Sequence, residues 1–339
     1  MSDSKLKLVA FYLPQFHRIP ENDEWWGKGF TDWVSVKKAR PLFPGHYQPR
    51  VPICENYYNL LDKKVVMRQA KQAKNAGIYG FCIYHYWFGD KLLLEKPAEN
   101  LLGWKDIDIN FCFSWANESW IASWSKLVEG NVWNDSVKRN IKQGDYLIKQ
   151  KYGDKCEWER HFKYLLPFFS DKRYIKKDNR PVFIIYKPND IKNLKDMMKI
   201  WNKLAIDNGI CGIFFVATND KKWRRKGMDG MLMYEPSYTF CYEEEKIFDK
   251  GFWFLRGRDF FANVGLEFPK LAKYHTIWKK ILKRKSKKNV FPGIFVDFDS
   301  SPRKGKKGTI FIGASPLNFK KYLQRFIKKY ADKEFVFIT

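Results

Sequence analysis

Residues 334–339, Glu-Phe-Val-Phe-Ile-Thr, decide the fold: they are the eighth short, β-rich apolar run in the chain. The seven before it are Leu6–Leu13, Tyr79–Trp87, Ile107–Trp115, Pro181–Tyr186, Gly212–Ala217, Gly230–Tyr234 and Gly293–Val296. Helical patterns separate several of them. Lys63–Asn75 reads as a helix stopped by Gly77. Asn193–Asn208 carries Met197, Met198, Trp201 and Leu204 at helical spacing and stops at Gly209, and Ser315–Tyr330 opens on a Ser-Pro cap. Strands that are apolar throughout, rather than alternating, belong to a parallel sheet covered by helices. Eight of them predict an α/β fold, a single (β/α)₈ TIM-type barrel with long βα loops that ends at strand eight. A doubly wound open sheet shares the alternation, but no GxGxxG follows a strand and no Walker A loop is present.

The chain has 339 residues, 45% of them hydrophobic and 18% aromatic. That suffices for one barrel domain over 1–339, which typically takes roughly 250 residues plus insertions. No stretch approaches the roughly 20 apolar residues of a membrane helix, and no secretory leader opens the sequence. Six scattered cysteines without CxxC spacing fit a reducing cytoplasm. Cys82, Cys112 and Cys211 are read as small hydrophobes in or beside strands. No metal-ligand spacing or cofactor motif is visible. The net charge of +26 draws anionic partners, including a negatively charged membrane surface for peripheral contact. It does not make a nucleic-acid module, because the aromatic residues are not interleaved with Lys and Arg on a sheet face. The densest basic run, Lys279–Lys288, closes a predicted helix.

Two long excursions, 14–60 and 119–160, follow strand ends, and the C-terminal ends of barrel strands carry the active site. What stands at those ends is consistent in chemistry. Strand one runs out in Tyr12, Gln15 and His17, and strand two in Tyr84, His85, Tyr86 and Trp87. Strand three ends in Trp115, Asn117, Glu118 and Trp120. Tyr186, Glu235 and Asp297 end strands four, six and seven, and Trp26 sits in an aromatic polar loop. A sugar offers an apolar CH face for aromatic platforms and hydroxyls for amides, imidazoles and carboxylates. These residues are therefore the expected substrate-binding set. Glu118 and Glu235 are the expected catalytic carboxylates, Glu118 as a general acid whose pKa is raised by the flanking indoles. No metal ligand is assigned.

Three segments resemble a known family: 10–52 (AFYLPQFHRIPENDEWWGKGFTDWVSVKKARPLFPGHYQPRVP), 77–88 (GIYGFCIYHYWF) and 113–120 (FSWANESW). They are similar to the WbsX-type family, named as glycosyltransferases and found in bacterial surface-polysaccharide loci. That family is related to glycoside hydrolase family 99, endo-α-mannosidase-like enzymes on a (β/α)₈ barrel. The resemblance runs from about residue 6 to the last residue. It implies a cytoplasmic role in lipopolysaccharide O-antigen or capsule biosynthesis, with an oligosaccharide or polysaccharide substrate, lipid-linked included. In the family, strand eight continues into Ala-Trp-Asn-Glu-Trp-x-Glu-Gly, whose glutamates correspond to the hydrolase catalytic pair. Here the sequence stops at Thr339, so a truncated chain with an exposed, frayed eighth strand is expected.

The functional expectation is a carbohydrate-active enzyme acting on glycosidic bonds, as family 99 hydrolases do. The alternatives are a glycosyltransferase using an activated sugar donor and a catalytically impaired glycan-binding protein. Asp297-Phe-Asp299 has the Asp-x-Asp spacing of metal-dependent transferases but sits on a barrel strand, where loop capping is the plainer role for Asp299.

Overall fold

A computed structural model describes residues 6–121, 146–243 and 268–339. The strands that form its barrel, in chain order, are β1 (Lys7–Tyr12), β2 (Ile78–Trp87), β3 (Asn110–Trp115), β4 (Arg180–Ile185), β5 (Phe214–Thr218) and β6 (Gly230–Leu232). Then come β7, in two pieces (Val290–Phe291 and Gly293–Ile294), and β8 (Phe335–Ile338). Each strand pairs in parallel with the next. The first half of β7 pairs with β6, the second half with β8, and β8 returns to β1. The two ends of the hydrogen-bonded path are thus the two halves of one strand.

Pro292 divides β7 because it has no N–H to give to the ladder. The residue beside it is dictated by sterics: a Cβ on Gly293 would lie 1.9 Å from the Met233 carbonyl oxygen. The sequence pattern placed this strand three residues late, at 293–296, since a proline inside an apolar run reads as a break.

Among the described residues the longer helices cover the barrel from outside and short ones stand at its mouth. They are α1 (Pro20–Trp26), α2 (Asp32–Lys38), α3 (Lys63–Asn75), α4 (Lys96–Gly103), α5 (Lys155–Phe169), α6 (Leu194–Asp207), α7 (Ser237–Glu243), α8 (Tyr274–Lys283), α9 (Ser301–Lys304) and α10 (Pro316–Lys329). α3 has the expected bounds: the Asp62 carboxylate caps Lys64 N at 2.8 Å, and Gly77 takes φ +79° past its end. Val65, Val66 and Ala70 bury its inner face. Trp201 and Trp278, expected in the core, are fully buried on α6 and α8. α5 lies partly within the excursion read as loop, and residues 122–145 of that excursion lie outside the described residues.

Strand eight does not fray. Phe335, Val336 and Phe337 are at most 2% exposed, and β8 is paired on both edges. Val336 joins Trp278, Tyr322, Phe326 and Tyr330 of the layer formed by α8 and α10, while Phe337 meets Phe11 and Phe291. The helix preceding this strand therefore covers it. Cys82 and Cys112 are buried as expected, but Cys211 is exposed, because it lies before β5 rather than in it.

Candidate active site

Where the C-terminal ends of the strands meet the βα loops, a cavity of about 890 Å³ opens. The aromatic side chains on its floor stand on or just past four strands: Phe11, Tyr84, Tyr86, Tyr186 and Tyr234. Phe11 lies 5.2 Å from Tyr84 and 4.9 Å edge-on from Tyr234, and Tyr186 stands edge-on to Tyr234 at 5.8 Å. The Tyr84 and Tyr234 hydroxyls share a hydrogen bond of 2.7 Å. Burial holds the phenols of Tyr84, Tyr86, Tyr186 and Tyr234 above their ordinary pKa, so they act as neutral hydroxyls.

The polar wall is a relay. Arg303, on α9, donates through Nη2 to Gln15 Oε1 at 2.8 Å and to Asp32 Oδ2 at 2.7 Å. Gln15 Nε2 in turn donates to the Tyr86 hydroxyl at 3.4 Å. Asp32 is the first residue of α2, so its carboxylate sits at the positive end of that helix. Trp26, Phe30, Trp120 and Asn22 complete the wall.

Most carboxylates at the mouth are committed. Asp32 faces Arg303, and Asp297 pairs with Arg50 at 2.6 Å. Asp299 accepts from Gln48 Nε2 at 2.6 Å and from Ser301 N at 2.8 Å, and lies 2.9 Å from His46 Nε2. Glu235 is fully buried, its carboxylate turned to Arg284 and Thr239. Glu118 is the loosest: its side chain is 35% exposed and its nearest ion-pair partner is Lys187, at 3.4 Å.

Of the residues singled out in the sequence, the cavity collects Gln15, Trp26, Tyr84, Tyr86, Glu118, Trp120, Tyr186 and Asp297, together with the main-chain side of Glu235. Six others stand elsewhere, and the reason is strand alternation: successive side chains point to opposite faces, so with Tyr84 and Tyr86 facing in, His85 and Trp87 must face out. Those two, with Trp115, pack on His161 of α5. Tyr12 likewise faces out, stacking on Phe81 and donating to Gln69 of α3 at 2.6 Å. His17 is buried with Nδ1 2.7 Å from the Pro14 carbonyl. Asn117 ties β3 to β4: it accepts from Lys187 N at 2.7 Å and donates to Lys187 O at 2.9 Å. With the Trp115 indole turned to α5, Glu118 is a half-open carboxylate beside an ammonium rather than one wedged between two indoles. Phe11, Asn22, Phe30, Asp32 and Arg303 also line the cavity and are outside the set expected from the sequence, and Tyr234, at the end of strand six beside Glu235, lines it too. Alternation works within one strand, so Phe11 faces in because Tyr12 beside it faces out, and no such argument links Tyr234 to the tyrosines of other strands.

Behind the site, His85 Nε2 and His161 Nε2 lie 2.8 Å apart, both buried, with the Trp87 ring stacked on His161 at 4.3 Å. Burial pushes His85 down from 6.5 to about 3 and lowers His161 further below its usual value, with His85 adding to the effect. The carboxyl beside them has the opposite sign: desolvation raises Glu157, which accepts from Trp87 Nε1, from 4.5 to about 7. The signs follow from which state binds more protons. As pH falls through 6.5 the unfolded chain takes up two histidine protons that the folded chain refuses, and the folded chain alone holds the Glu157 proton. Histidines that refuse a proton on folding, His17 among them, make stability fall with falling pH, and the buried acids Glu157 and Glu235, raised by desolvation, offset part of that loss. Thermal unfolding followed from pH 6.5 to 4 should show a falling midpoint. A flat profile would rule out the neutral imidazole pair.

Compared with known proteins, residues 8–339 match the family model described as Glycosyltransferase WbsX. Two proteins of Xanthomonas campestris pv. campestris, each named Uncharacterized protein WxcX, are 30% and 29% identical to the chain. Each alignment covers 95% of this chain and 43% of the relative, so the chain spans less than half the length of these curated relatives. Among solved structures, the GH99 endo-alpha-mannosidase from Bacteroides thetaiotaomicron in complex with Bis-Tris propane aligns with TM-score 0.51 and 13% identity. That alignment covers 100% of this chain and 84% of the other. A chain titled Glycoside hydrolase-like protein aligns with TM-score 0.52 and 10% identity, over 98% and 82% of the two chains. At such identities the likeness is one of fold.

Proposed function

Since the chain belongs to the WbsX glycosyltransferase family, we propose that its barrel mouth acts on glycosidic bonds of a bacterial surface polysaccharide, of O-antigen or capsule type. Glu118 is its working carboxylate, and the substrate is carried on a lipid at the cytoplasmic side of an anionic membrane. The observation that carries this reading is the lining itself: an aromatic floor of neutral phenols beside a polar wall in which Arg303, Gln15 and Asp32 present fixed donors and acceptors. This is the two-sided chemistry that a pyranose requires.

Within the described residues the wall does not resemble a nucleotide-diphosphate site. Of the cations at the cavity, Arg303 is already shared between Asp32 and Gln15 and Lys187 faces Glu118, which leaves Lys304 on the lining. The Asp297–Asp299 pair, which has the spacing of a metal-dependent donor site, spends its carboxylates on Arg50, His46 and Gln48. That distribution favours hydrolysis, or transfer from one glycan to another, over use of a nucleotide sugar. The second reading, a glycan-binding module without turnover, keeps the same lining and differs only in chemistry.

The test is to incubate the protein with a panel of surface-polysaccharide fragments, with and without UDP- and GDP-sugars and divalent metal. Cleavage or glycan-to-glycan transfer without nucleotide release is expected. Metal-dependent release of UDP or GDP would overturn the preference for hydrolysis. Calorimetric binding with no new product would assign the module reading, and neither binding nor product would remove the glycan from the cavity.

A further inference from the structure

Two loops at the cavity end of the barrel carry apolar side chains that the core does not use. Tyr47 is 68% exposed, Val51 48% and Ile53 89%, and on the loop after β7 Val296 is 46% and Phe298 37% exposed. The two loops are latched side by side. Arg50 pairs with Asp297 at 2.6 Å, Gln48 donates to Asp299 at 2.6 Å, and His46 meets the same carboxylate at 2.9 Å. Asp297 and Asp299 line the cavity, so this apolar ridge forms part of its rim. Cys54 and Glu55, at φ 55° and 51°, hold left-handed backbone just past Ile53. Neither is glycine, so the turn that projects the isoleucine is sterically costly. Exposed cations stand on the same two segments, Arg40 on one and Lys304 and Lys306 on the other, besides Arg50, whose charge Asp297 meets; Glu55 is an exposed acid two residues past Ile53.

We propose that this rim is a docking surface for an anionic lipid bilayer, with Ile53, Val51 and Tyr47 entering the headgroup boundary and the flanking cations meeting lipid phosphates. Apolar side chains beside basic ones are the composition that interfacial binding selects, since buried apolar area and attraction to anionic lipid add. The proposal rests on the function given above and deepens it: a glycan attached to lipid presents its sugar at the bilayer surface, and this geometry holds the cavity mouth there. It also assigns no docking role to the most basic run of the sequence. The exposed Lys283, Lys285, Lys287 and Lys288 lie where α8 ends and the chain enters β7 from below. They are at the opposite end of the barrel from the cavity.

The experiment is co-sedimentation of the chain with vesicles of phosphatidylcholine containing about one third phosphatidylglycerol, and with phosphatidylcholine alone, at about 0.1 M salt. Wild type is expected to partition onto the anionic vesicles and far less onto the neutral ones. The double variant Val51→Ser/Ile53→Ser should weaken that partitioning by about tenfold or more, with an unchanged circular-dichroism melting curve. Lys283→Ser/Lys285→Ser/Lys288→Ser should change it by less than about threefold. No sedimentation of wild type with anionic vesicles overturns the proposal. So does a Val51/Ile53 variant that binds like wild type, or loss of binding in the lysine variant alone. The function above is read separately, by turnover of water-soluble glycan fragments, which the Val51/Ile53 variant should retain. Absence of turnover in wild type would therefore sink the catalytic reading while leaving the vesicle result standing.

Discussion

Glu118→Gln should reduce turnover of a glycan substrate by about 10²–10⁴-fold, the usual worth of a positioned general acid or base, in any form of the protein that is active. The same substitution should leave the unfolding midpoint where it is. Glu118 lies in a loop, its side chain is 35% exposed, and its ion pair to Lys187 is 3.4 Å long. An exposed pair of that kind contributes about 0–1 kcal/mol. The isosteric amide also keeps the hydrogen-bonding capacity that holds a sugar hydroxyl, so affinity for a glycan should fall far less than turnover. It is this split between rate and binding, with stability constant, that identifies a chemical role. Asp297→Asn and Asp299→Asn offer the contrast. Their carboxylates anchor Arg50, His46 and Gln48, so their loss should loosen the rim loop and weaken binding together with rate. Unchanged turnover in Glu118→Gln removes this residue from the mechanism.

How far the sequence could be read depends on which physical signal is asked for. Strand and helix positions were legible where burial leaves a run of apolar residues between strong caps, as in Lys63–Asn75 between Asp62 and Gly77. They were blurred where one residue contradicts its surroundings. Pro292 cuts β7 in two, and Pro167 interrupts the pattern of α5 although Trp158, His161, Phe162 and Leu165 already trace its buried stripe. The site was half legible for a different reason. Position at the end of a strand is visible in sequence, but the face is set by alternation, and a run that is apolar on both faces hides its own phase. Tyr84 and Tyr86 therefore come together with His85 and Trp87, and only the structure separates the pair facing the cavity from the pair facing α5. Arg303 and Asp32 were hidden by distance: they are 271 positions apart and acquire meaning only as a pair.

The same separation decides what Glu235 does, and Arg284→Met should expose it by costing about 3–5 kcal/mol of stability, the usual penalty for leaving one member of a buried ion pair unpartnered. Glu235 is 0% exposed. One carboxylate oxygen meets Arg284 Nη1, and the other accepts from the Thr239 hydroxyl at 2.8 Å and from Thr239 N at 3.3 Å. Arg284 continues through Nε to Glu243 at 3.0 Å and lies 4.7 Å over the Tyr238 ring. The cluster thus joins α7 to the end of α8. Removing the arginine strands a carboxylate that has no access to water. Replacing both partners, Glu235→Leu with Arg284→Met, should recover much of the loss, because the desolvation cost of two charges disappears with them. Chemical denaturation of the two single variants and the double variant measures this as a coupling energy. A denaturation midpoint for Arg284→Met equal to that of wild type would mean that the cluster holds nothing together. The consequence reaches the assignment of chemistry: a Glu235 variant should lose activity in proportion to its folded fraction, whereas Glu118→Gln should lose it while fully folded. Two carboxylates at the ends of barrel strands would thereby be told apart, Glu235 by its effect on stability and Glu118 by its effect on rate alone.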